Sequence, residues 1–528
     1  MSRRQGRLAA PVGGIVGVAL LLAACGGGGE EVDVNGDDQD ADGGGTPAED
    51  GETAAAAGGV LVAGISGEPD QLDPHATTAY ASFQILENVY DTLVVPDPEG
   101  NFQPSLAESW ETSDDGLTWT FNLRDDVTFH DGSTFDSADV VYSLERMMGE
   151  DSSVAFRFGT VEDVEAPDES TVVLTLSART PNLLDNIGNY KGMSIIPEGA
   201  AEELNLATEA NGTGPFTLDS FDASGTTLSA FGDYWGEGPT VDGVEFRYIT
   251  ESAAALTALR SGEIHWTDNV PPQDIEGLQD DEDVEVATSA SVDYWYLALN
   301  QNREPWSERD ARRGVAFGLD RAAITEATRF GAATVNQTAI PSESFWFHDY
   351  APYSRDPGQA RELLDSAGVD EGQELGLMVV SGTDGVEAAQ VIQANLEEVG
   401  IDVQIQEEES GTWLDRQSQG EFDAFMWSWV GNLDPFGFYH AQHVCEGNFN
   451  FQGYCNEEVD DLLSEAATET DQDARKELYD QAAELIVDDA SYIYLYNPDV
   501  VQAWAPGLSG YQIRADEAIN FDQVVLPE

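Results

Sequence analysis

The residues best suited to ligand chemistry lie in one stretch of the chain, residues 425–435. An apolar strand pattern there ends in a loop of glycine, asparagine, aspartate and proline. Loops that follow a rigid strand often carry binding side chains. The candidates in this stretch are two aromatic rings, an amide and a carboxylate: Trp427, Trp429, Asn432 and Asp434. We expect one tryptophan to belong to the core and Trp429 to face a ligand.

A second set of reactive side chains follows directly. Cys445 and Cys455 lie in a stretch rich in glycine and asparagine. Outside the cytosol such a pair most simply forms a short-loop disulfide, which stabilises a fold by roughly 3 kcal/mol. The alternative is a metal site that includes His440 and His443, although metal sites usually take about three or four ligands. We favour the disulfide and predict no metal.

Composition and motifs exclude several functions. The chain carries 100 Asp and Glu against 22 Lys and Arg, a formal charge of −78, which excludes a nucleic-acid partner because a polyanion would be repelled. The sequence contains no G-x-S-x-G, H-E-x-x-H or P-loop lysine motif. We therefore predict a protein that is not an enzyme, with no catalytic residues and no cofactor. An extracellular hydrolase remains a remote alternative.

The beginning of the chain has the pattern of an export signal. Three arginines precede an apolar stretch at residues 8–24, which at about 17 residues is short for a membrane-spanning helix. The stretch ends in Leu22-Ala23-Ala24-Cys25, which resembles a bacterial lipobox. We predict a lipoprotein signal peptide at 1–24 and a lipid anchor on Cys25 that holds the protein at the outer face of the cell membrane. Sec and twin-arginine export both remain open.

Residues 25–58 contain acidic residues, glycine and alanine but almost no large apolar side chain. Such a segment cannot form a core, so we predict a disordered linker. The body that follows alternates strand-like and helix-like patterns, which indicates an α/β fold with mixed sheets. Strands are predicted at 117–124, 171–176, 244–249 and 401–406. Helices are predicted at 308–327, 356–367, 386–399, 457–469 and 472–487.

Short motifs then follow one another in order through this body: ENVYDTLV at 87–94, LAESW at 106–110, DGLTWTF at 115–121, LRDDVTFHDG at 123–132, GTGPF at 212–216 and RRGVAFGLDR at 312–321. Their order and spacing resemble the family 5 extracellular solute-binding proteins of ABC importers, the dipeptide, oligopeptide and nickel group. The similarity extends over nearly the whole chain from residue 60.

The resemblance implies a two-lobed, periplasmic-binding-protein-like α/β fold of the large type, with a hinged cleft and an extra inserted domain. The expected domains are domain I of lobe 1 at 59–95, 212–299 and 506–528, the inserted domain II at 96–211, and domain III, which forms lobe 2, at 300–505. The chain is expected to be a monomer.

The resemblance also implies roles for individual residues. In dipeptide-binding relatives an aspartate equivalent to Asp434 holds the α-amino group of the ligand, through a charge-assisted hydrogen bond. Further ligand contacts are expected from the segment after the first strand and from an aromatic run: Ser66, Gly67, Glu68, Tyr294 and Tyr296. Residues 381–387 contain no arginine where dipeptide binders hold the ligand carboxylate.

These observations predict a substrate-binding lipoprotein that captures peptides, or a peptide-like or cationic solute, and delivers it unchanged to the transmembrane permease of an ABC importer. The missing arginine makes recognition of a free C-terminal carboxylate at that position doubtful. A member of the same family that binds a sugar or a nickel or other metal complex is the alternative.

Overall fold

The computed structural model describes residues 58–97, 101–381, 383–431 and 433–527 of the 528-residue chain. The predicted signal peptide at 1–24, the lipid-bearing Cys25 and the ligand contact of Asn432 lie outside the described residues. The predicted linker at 25–58 also lies outside them, except for residue 58. Within these ranges, no helix combines the length and the apolar character that crossing a membrane requires.

Strands and helices alternate along the described chain. The strands are β1 Val60–Ile65, β2 Val94–Pro96, β3 Phe102–Pro104, β4 Ala107–Thr112, β5 Thr118–Leu123, β6 Val161–Asp168, β7 Thr171–Leu176, β8 Phe216–Asp222, β9 Gly225–Ala230, β10 Gly243–Tyr248, β11 Trp266–Thr267, β12 Glu285–Ala290, β13 Tyr294–Leu299, β14 Ala333–Val335, β15 Gln373–Val380, β16 Ile401–Glu408, β17 Ala424–Trp429 and β18 Tyr492–Trp504. The helices are α1 Tyr80–Leu86, α2 Ser137–Met147, α3 Leu183–Gly188, α4 Ala200–Glu203, α5 Ser252–Ser261, α6 Ile275–Leu278, α7 Arg309–Gly318, α8 Arg321–Arg329, α9 Pro357–Ser366, α10 Asp384–Glu398, α11 Ser410–Ser418, α12 Phe436–His443, α13 Glu457–Ala466 and α14 Gln472–Asp488.

Most strands join one large sheet in the order β16-β15-β17-β13-β18-β11-β1-β10-β9-β8, with β12 and β14 paired to β18 beside this path. Strand β1 is parallel to β10 and β11, and β15 is parallel to β16 and β17. The pairs that β13 forms with β17 and β18 are antiparallel. The prediction of an α/β fold with mixed sheets is therefore confirmed.

The long strand β18 is shared by separate hydrophobic cores. Its residues 492–496 belong to a core built from residues 292–496, whereas Val501 and Ala503 pack in a core with residues of α5 and α6. Two further cores lie within residues 61–266 and the C-terminal segment. We call residues 58–290 with 499–527 the first lobe and residues 291–498 the second lobe. The two-lobed architecture is confirmed, while the domain boundaries expected from the sequence stay a prediction.

A four-stranded antiparallel sheet of order β4-β5-β7-β6 lies within the first lobe. Strand β6 begins opposite the end of β7, because Val161 pairs with Leu176. The loop before β6 and the loop after β7 therefore leave the sheet side by side. Helix α2 covers this sheet, and its N-terminus is closed by Asp136, which accepts a hydrogen bond from Ala138 N at 2.7 Å.

The predicted helices are present with small changes at their ends, except at residues 308–327. That segment forms two helices, α7 and α8, because α7 ends at Gly318 and Asp320 starts a new helix. The Asp320 side chain accepts a hydrogen bond from Ala323 N at 3.0 Å, which is the N-cap geometry of α8. A continuous apolar periodicity therefore conceals a local break.

Candidate functional site

A cleft of about 650 Å³ lies between the two lobes. The first lobe lines it with the loops before β6 and after β7, with α1, and with residues in and after α3. The second lobe contributes the end of β17, helix α12 and Phe449. This volume lies within the roughly 300–1,000 Å³ that is usual for sites that bind small molecules. The cleft, which draws side chains from both lobes, is the candidate site.

Aromatic rings form one wall of the cleft and reach across it. Phe156 of the first lobe is 62% exposed, and its ring centroid lies 6.4 Å from that of Phe449 in the second lobe. Phe449 in turn meets the ring of Trp429 edge to face at 5.1 Å. The indole N–H of Trp429 donates to the carbonyl of Gly437 at 3.1 Å, which fixes the ring at the end of β17. This wall offers apolar and π surfaces to a ligand.

Two charged groups from the first lobe lie deeper in the cleft. Asp185, on α3, is only 4% exposed, and its Oδ1 has no hydrogen-bond partner among the described residues. Burial raises the pKa of Asp185 to about 7, although Arg157 works in the opposite direction. Arg157 also lines the cleft, its Nε finds no partner in the described chain, and burial lowers its pKa. A carboxylate and a guanidinium thus have unused hydrogen-bonding atoms in one cleft.

Lys191 and Glu517, both from the first lobe, add charges of opposite sign to the cleft lining. The Lys191 Nζ lies 5.2 Å from the ring centroid of Tyr190, within cation–π range. Burial raises the pKa of Glu517 above its usual value. Burial also raises the pKa of nearby Asp293 to about 8, and the Glu517 charge adds to this rise. The cleft therefore carries both positive and negative groups, although the formal charge of the whole chain is −78.

Asp434, predicted to hold a ligand amino group, is engaged by another residue in this structure. Arg475, near the start of α14, donates to both carboxylate oxygens of Asp434 at 2.6 and 2.8 Å. The side chains of this pair are 4% exposed for Arg475 and 12% exposed for Asp434. Asp434 also accepts a hydrogen bond from Phe436 N at 2.9 Å. The ligand role of Asp434 stays a prediction, and in this geometry both of its oxygens are occupied.

The predicted aromatic contacts divide between cleft and core. Trp429 lines the cleft, as expected. Trp427 shares a strand face with it, as residues two apart must, but its ring stacks on Trp413 with centroids 4.5 Å apart. Tyr294 and Tyr296 are 1% and 2% exposed and lie in the core of the second lobe. Their positions in β13, between β17 and β18, bury both rings, so the structure does not bring them to the cleft.

The predicted contacts after β1 are not among the residues that line the cleft. The backbone N–H of Ser66 donates to Asp268 Oδ1 at 2.8 Å, and its hydroxyl donates to Asp268 Oδ2 at 3.2 Å. Gly67 lies against helix α1, because an added Cβ would come within 3.0 Å of the Ala81 Cβ. Glu68 is exposed. A ligand role for Ser66, Gly67 and Glu68 stays a prediction.

Cys445 and Cys455 form the predicted disulfide. The two histidines of the alternative metal site have different environments. His443 is fully buried, with Nδ1 bound to Ser491 Oγ at 2.9 Å and Nε2 to Tyr494 OH at 3.0 Å. His440 lines the cleft, and its ring stacks on Phe436 at 4.4 Å. Both ring nitrogens of His443 are therefore engaged, and the described residues contain no cluster of three or more metal-ligating side chains.

Sequence reasoning missed the contribution of the first lobe to the cleft, namely Phe156, Arg157, Asp185 and Lys191. They belong to loops and a short helix with no strong motif. One signal was available: cations are scarce in this chain, and Lys191 is one of only two lysines.

Comparisons with known proteins agree with this architecture. The profile of the bacterial extracellular solute-binding proteins, family 5 Middle, matches residues 101–450. The probable D,D-dipeptide-binding periplasmic protein DdpA of Escherichia coli K12 is 29% identical over 473 residues, which covers 86% of this chain and 91% of that protein. Di/tripeptide-binding protein 1 of Pseudomonas aeruginosa is 28% identical and covers 87% and 92%. The structure of the periplasmic binding protein DppA from Helicobacter pylori, in complex with the peptide STSA, is 28% identical, has a TM-score of 0.78 and covers 89% and 98%.

Proposed function

The chain belongs to family 5 of the bacterial extracellular solute-binding proteins, and we propose that it captures a peptide or peptide-like solute between its two lobes and delivers it to the permease of an ABC importer. The observation that carries this proposal is the cleft of about 650 Å³ with walls from both lobes. A ligand that contacts both walls favours the closed form over the open one, so closure follows from differential binding. A permease that contacts both lobes then distinguishes loaded from empty protein.

The composition of the cleft supports a peptide-like ligand. Its aromatic wall, with Phe156, Trp429 and Phe449, accepts apolar side chains without strict selectivity. Its charges of both signs, with buried Asp185 and half-buried Lys191 among them, match a solute that carries both an amino group and oxygen acceptors. The peptide-binding relatives named above are in accord with this choice.

Calorimetric titration with pooled synthetic dipeptides to pentapeptides tests the proposal. Gly159 lines the cleft with φ −59°, and a Cβ added there meets no atom within 4 Å. The Gly159→Trp variant should therefore place an indole in the cleft without backbone strain and abolish binding. Gly277→Trp is the matched control, because Gly277 is exposed and is not part of the cleft lining. A Cβ added at Gly277 also meets no atom within 4 Å. Equal binding by both variants would place the ligand elsewhere.

The transport role also requires export and a membrane anchor. We place the lipid on Cys25, in keeping with the lipobox-like sequence and with a monomer that stays near its permease. Metabolic labelling with an alkyne fatty acid should mark the wild-type protein and not the Cys25→Ala variant. Labelling of both proteins would exclude this anchor.

The solute is expected to leave the cleft chemically unchanged. Peptides incubated with stoichiometric protein and then released by denaturation should have their original masses. Cleavage products that accumulate beyond one equivalent of protein would identify an extracellular hydrolase instead.

A further inference from the structure

Asp185 and Arg157 present the strongest unexplained polar groups of the cleft. Oδ1 of Asp185 and Nε of Arg157 are buried, and neither has a hydrogen-bond partner among the described residues. Both residues line the same cleft. Native proteins satisfy most buried polar atoms, and an unpaired buried carboxylate is especially costly. Two unsatisfied atoms of opposite charge in a ligand cleft therefore indicate groups that a ligand satisfies.

The predicted amino-group ligand of the second lobe, Asp434, is not equally free and is not among the residues that line the cleft. Asp434 receives two hydrogen bonds from Arg475 and one from Phe436 N. An ammonium that bound Asp434 would have to compete with a guanidinium held in a bidentate, buried pair. Asp185 has no guanidinium competitor: the backbone of Leu433 gives its carboxylate one hydrogen bond, Arg157 acts on it through space without an ion pair, and its Oδ1 has no partner in the described chain.

We propose that Asp185 binds a primary ammonium group of the ligand, and that Nε of Arg157 donates a hydrogen bond to a ligand oxygen close to that ammonium. The ligand class is then a solute with a free α-amino group next to a carbonyl or carboxylate, such as the N-terminal end of a peptide. This inference rests on the proposed function and assigns the amino-group contact to the first lobe instead of to Asp434.

The groups around Asp185 also determine how binding responds to pH. Burial raises the pKa of Asp185 to about 7, and the charge of Asp434 adds to this rise. Arg157, a hydrogen bond from the Leu433 backbone and, more weakly, Arg475 lower it. Strands β2 and β3, which pack against α3, contain no titratable side chain. Only the ionised carboxylate binds an ammonium strongly, so affinity should rise about fivefold between about pH 6 and pH 7. Above about pH 8 the ligand's own α-ammonium loses its proton, and the rise should end.

The test uses a library of dipeptides to pentapeptides, each in a free and an N-acetylated form. Wild-type protein and three variants, Asp185→Asn, Asp434→Asn and Asp163→Asn, are incubated with the library, and retained peptides are quantified by mass spectrometry. Asp163 is exposed on β6, so its variant removes one negative charge from the same sheet region without touching the cleft. Calorimetry with the best-retained peptide at several pH values completes the experiment.

We expect wild type to retain free peptides in preference to acetylated ones. Asp185→Asn should weaken binding about tenfold to a hundredfold, the range for a charge-assisted hydrogen bond, and should lose the rise of affinity with pH. Loss of this pH dependence would identify Asp185 as its cause, because His440 and Glu517 also titrate in the cleft and are still present in the variant. Asp163→Asn should bind as wild type does.

Other outcomes overturn the inference or the function, and they can be told apart. Equal retention of free and acetylated peptides by wild type overturns the inference, even if the variants fail to fold. So does full binding by Asp185→Asn together with loss in Asp434→Asn. In both cases the proposed function stands. Retention of no peptide in either form by wild type overturns the proposed function itself, and the inference with it.

Discussion

Replacement of Arg475 by methionine would remove the cation that holds Asp434 and leave a buried carboxylate without its partner. The guanidinium donates to both Asp434 oxygens at 2.6 and 2.8 Å and to the carbonyl of Ala466 at 2.9 Å. With the side chains only 4% and 12% exposed, water cannot replace these bonds without opening the structure. Removing one partner of such a pair costs about 3–5 kcal/mol of unfolding free energy.

A double-mutant cycle separates the pair from other effects of the substitutions. Asp434→Asn should destabilise by a similar amount, because it leaves the guanidinium buried and uncompensated. The double variant, with neither charge, should be more stable than the sum of the two losses implies, by about 2–3 kcal/mol. Methionine keeps an apolar stem beside Trp346, which the Arg475 guanidinium now faces at 5.2 Å.

Urea unfolding followed by tryptophan fluorescence measures the cycle. Lys476→Met, at the next position of the same helix, is the control. Lys476 pairs with Asp480, and the side chains of this pair are 23% and 25% exposed. That partly exposed pair should contribute only about 0–1 kcal/mol. If the Arg475 and Asp434 variants prove additive within about 0.5 kcal/mol, the pair is not formed in solution. Asp434 would then be available to a ligand, and the reasoning that favours Asp185 would fail.

Three further outcomes follow from the cleft and its surroundings. As pH rises from about 4 to about 7, wild-type protein should lose up to about 4 kcal/mol of unfolding free energy relative to Asp185→Asn. The reason is that the Asp185 carboxyl, with its raised pKa, stays protonated in the folded chain while it ionises in the unfolded chain. Parallel pH profiles of the two proteins in urea titrations would contradict this. Phe156→Ala removes the ring that meets Phe449 across the cleft at 6.4 Å. A loss of about 0.5–1.5 kcal/mol should weaken peptide binding about twofold to thirteenfold, mainly through faster dissociation. Unchanged dissociation in stopped-flow experiments would show that the contact does not close the cleft. Conversion of both Cys445 and Cys455 to serine removes a disulfide between residues ten positions apart. It should lower the unfolding free energy by about 3 kcal/mol. An unchanged urea midpoint would show that the disulfide does not constrain the unfolded chain.

Local signals in the sequence predicted the secondary structure well where a cap or a glycine marks an end. Helix α10 spans Asp384–Glu398 against a prediction of 386–399, because Gly400, with φ +93°, stops the helix where the sequence indicated. The break between α7 and α8 was not predicted, because the apolar periodicity continues across Asp320. The capping role of that aspartate became evident only from its hydrogen bond to Ala323 N.

The site was less predictable, because its geometry depends on long-range pairing. Trp429 was predicted because it ends a strand and begins a loop. Asp434 was an equally visible local candidate, but its partner Arg475 lies 41 residues further along the chain and could not be inferred from spacing. Arg157 and Asp185 enter the cleft only because β6 and β7 pair antiparallel and place their neighbouring loops together. No periodicity or motif encodes that proximity.

Native mass spectrometry of the wild-type protein, purified without denaturation and then exposed to a peptide library, tests the central claim most directly. We predict one solute per protein, with a free amino group, which is released with its mass unchanged when the chain is unfolded. A protein that carries no solute in either condition, or that releases only cleaved products, would contradict capture and delivery by the cleft.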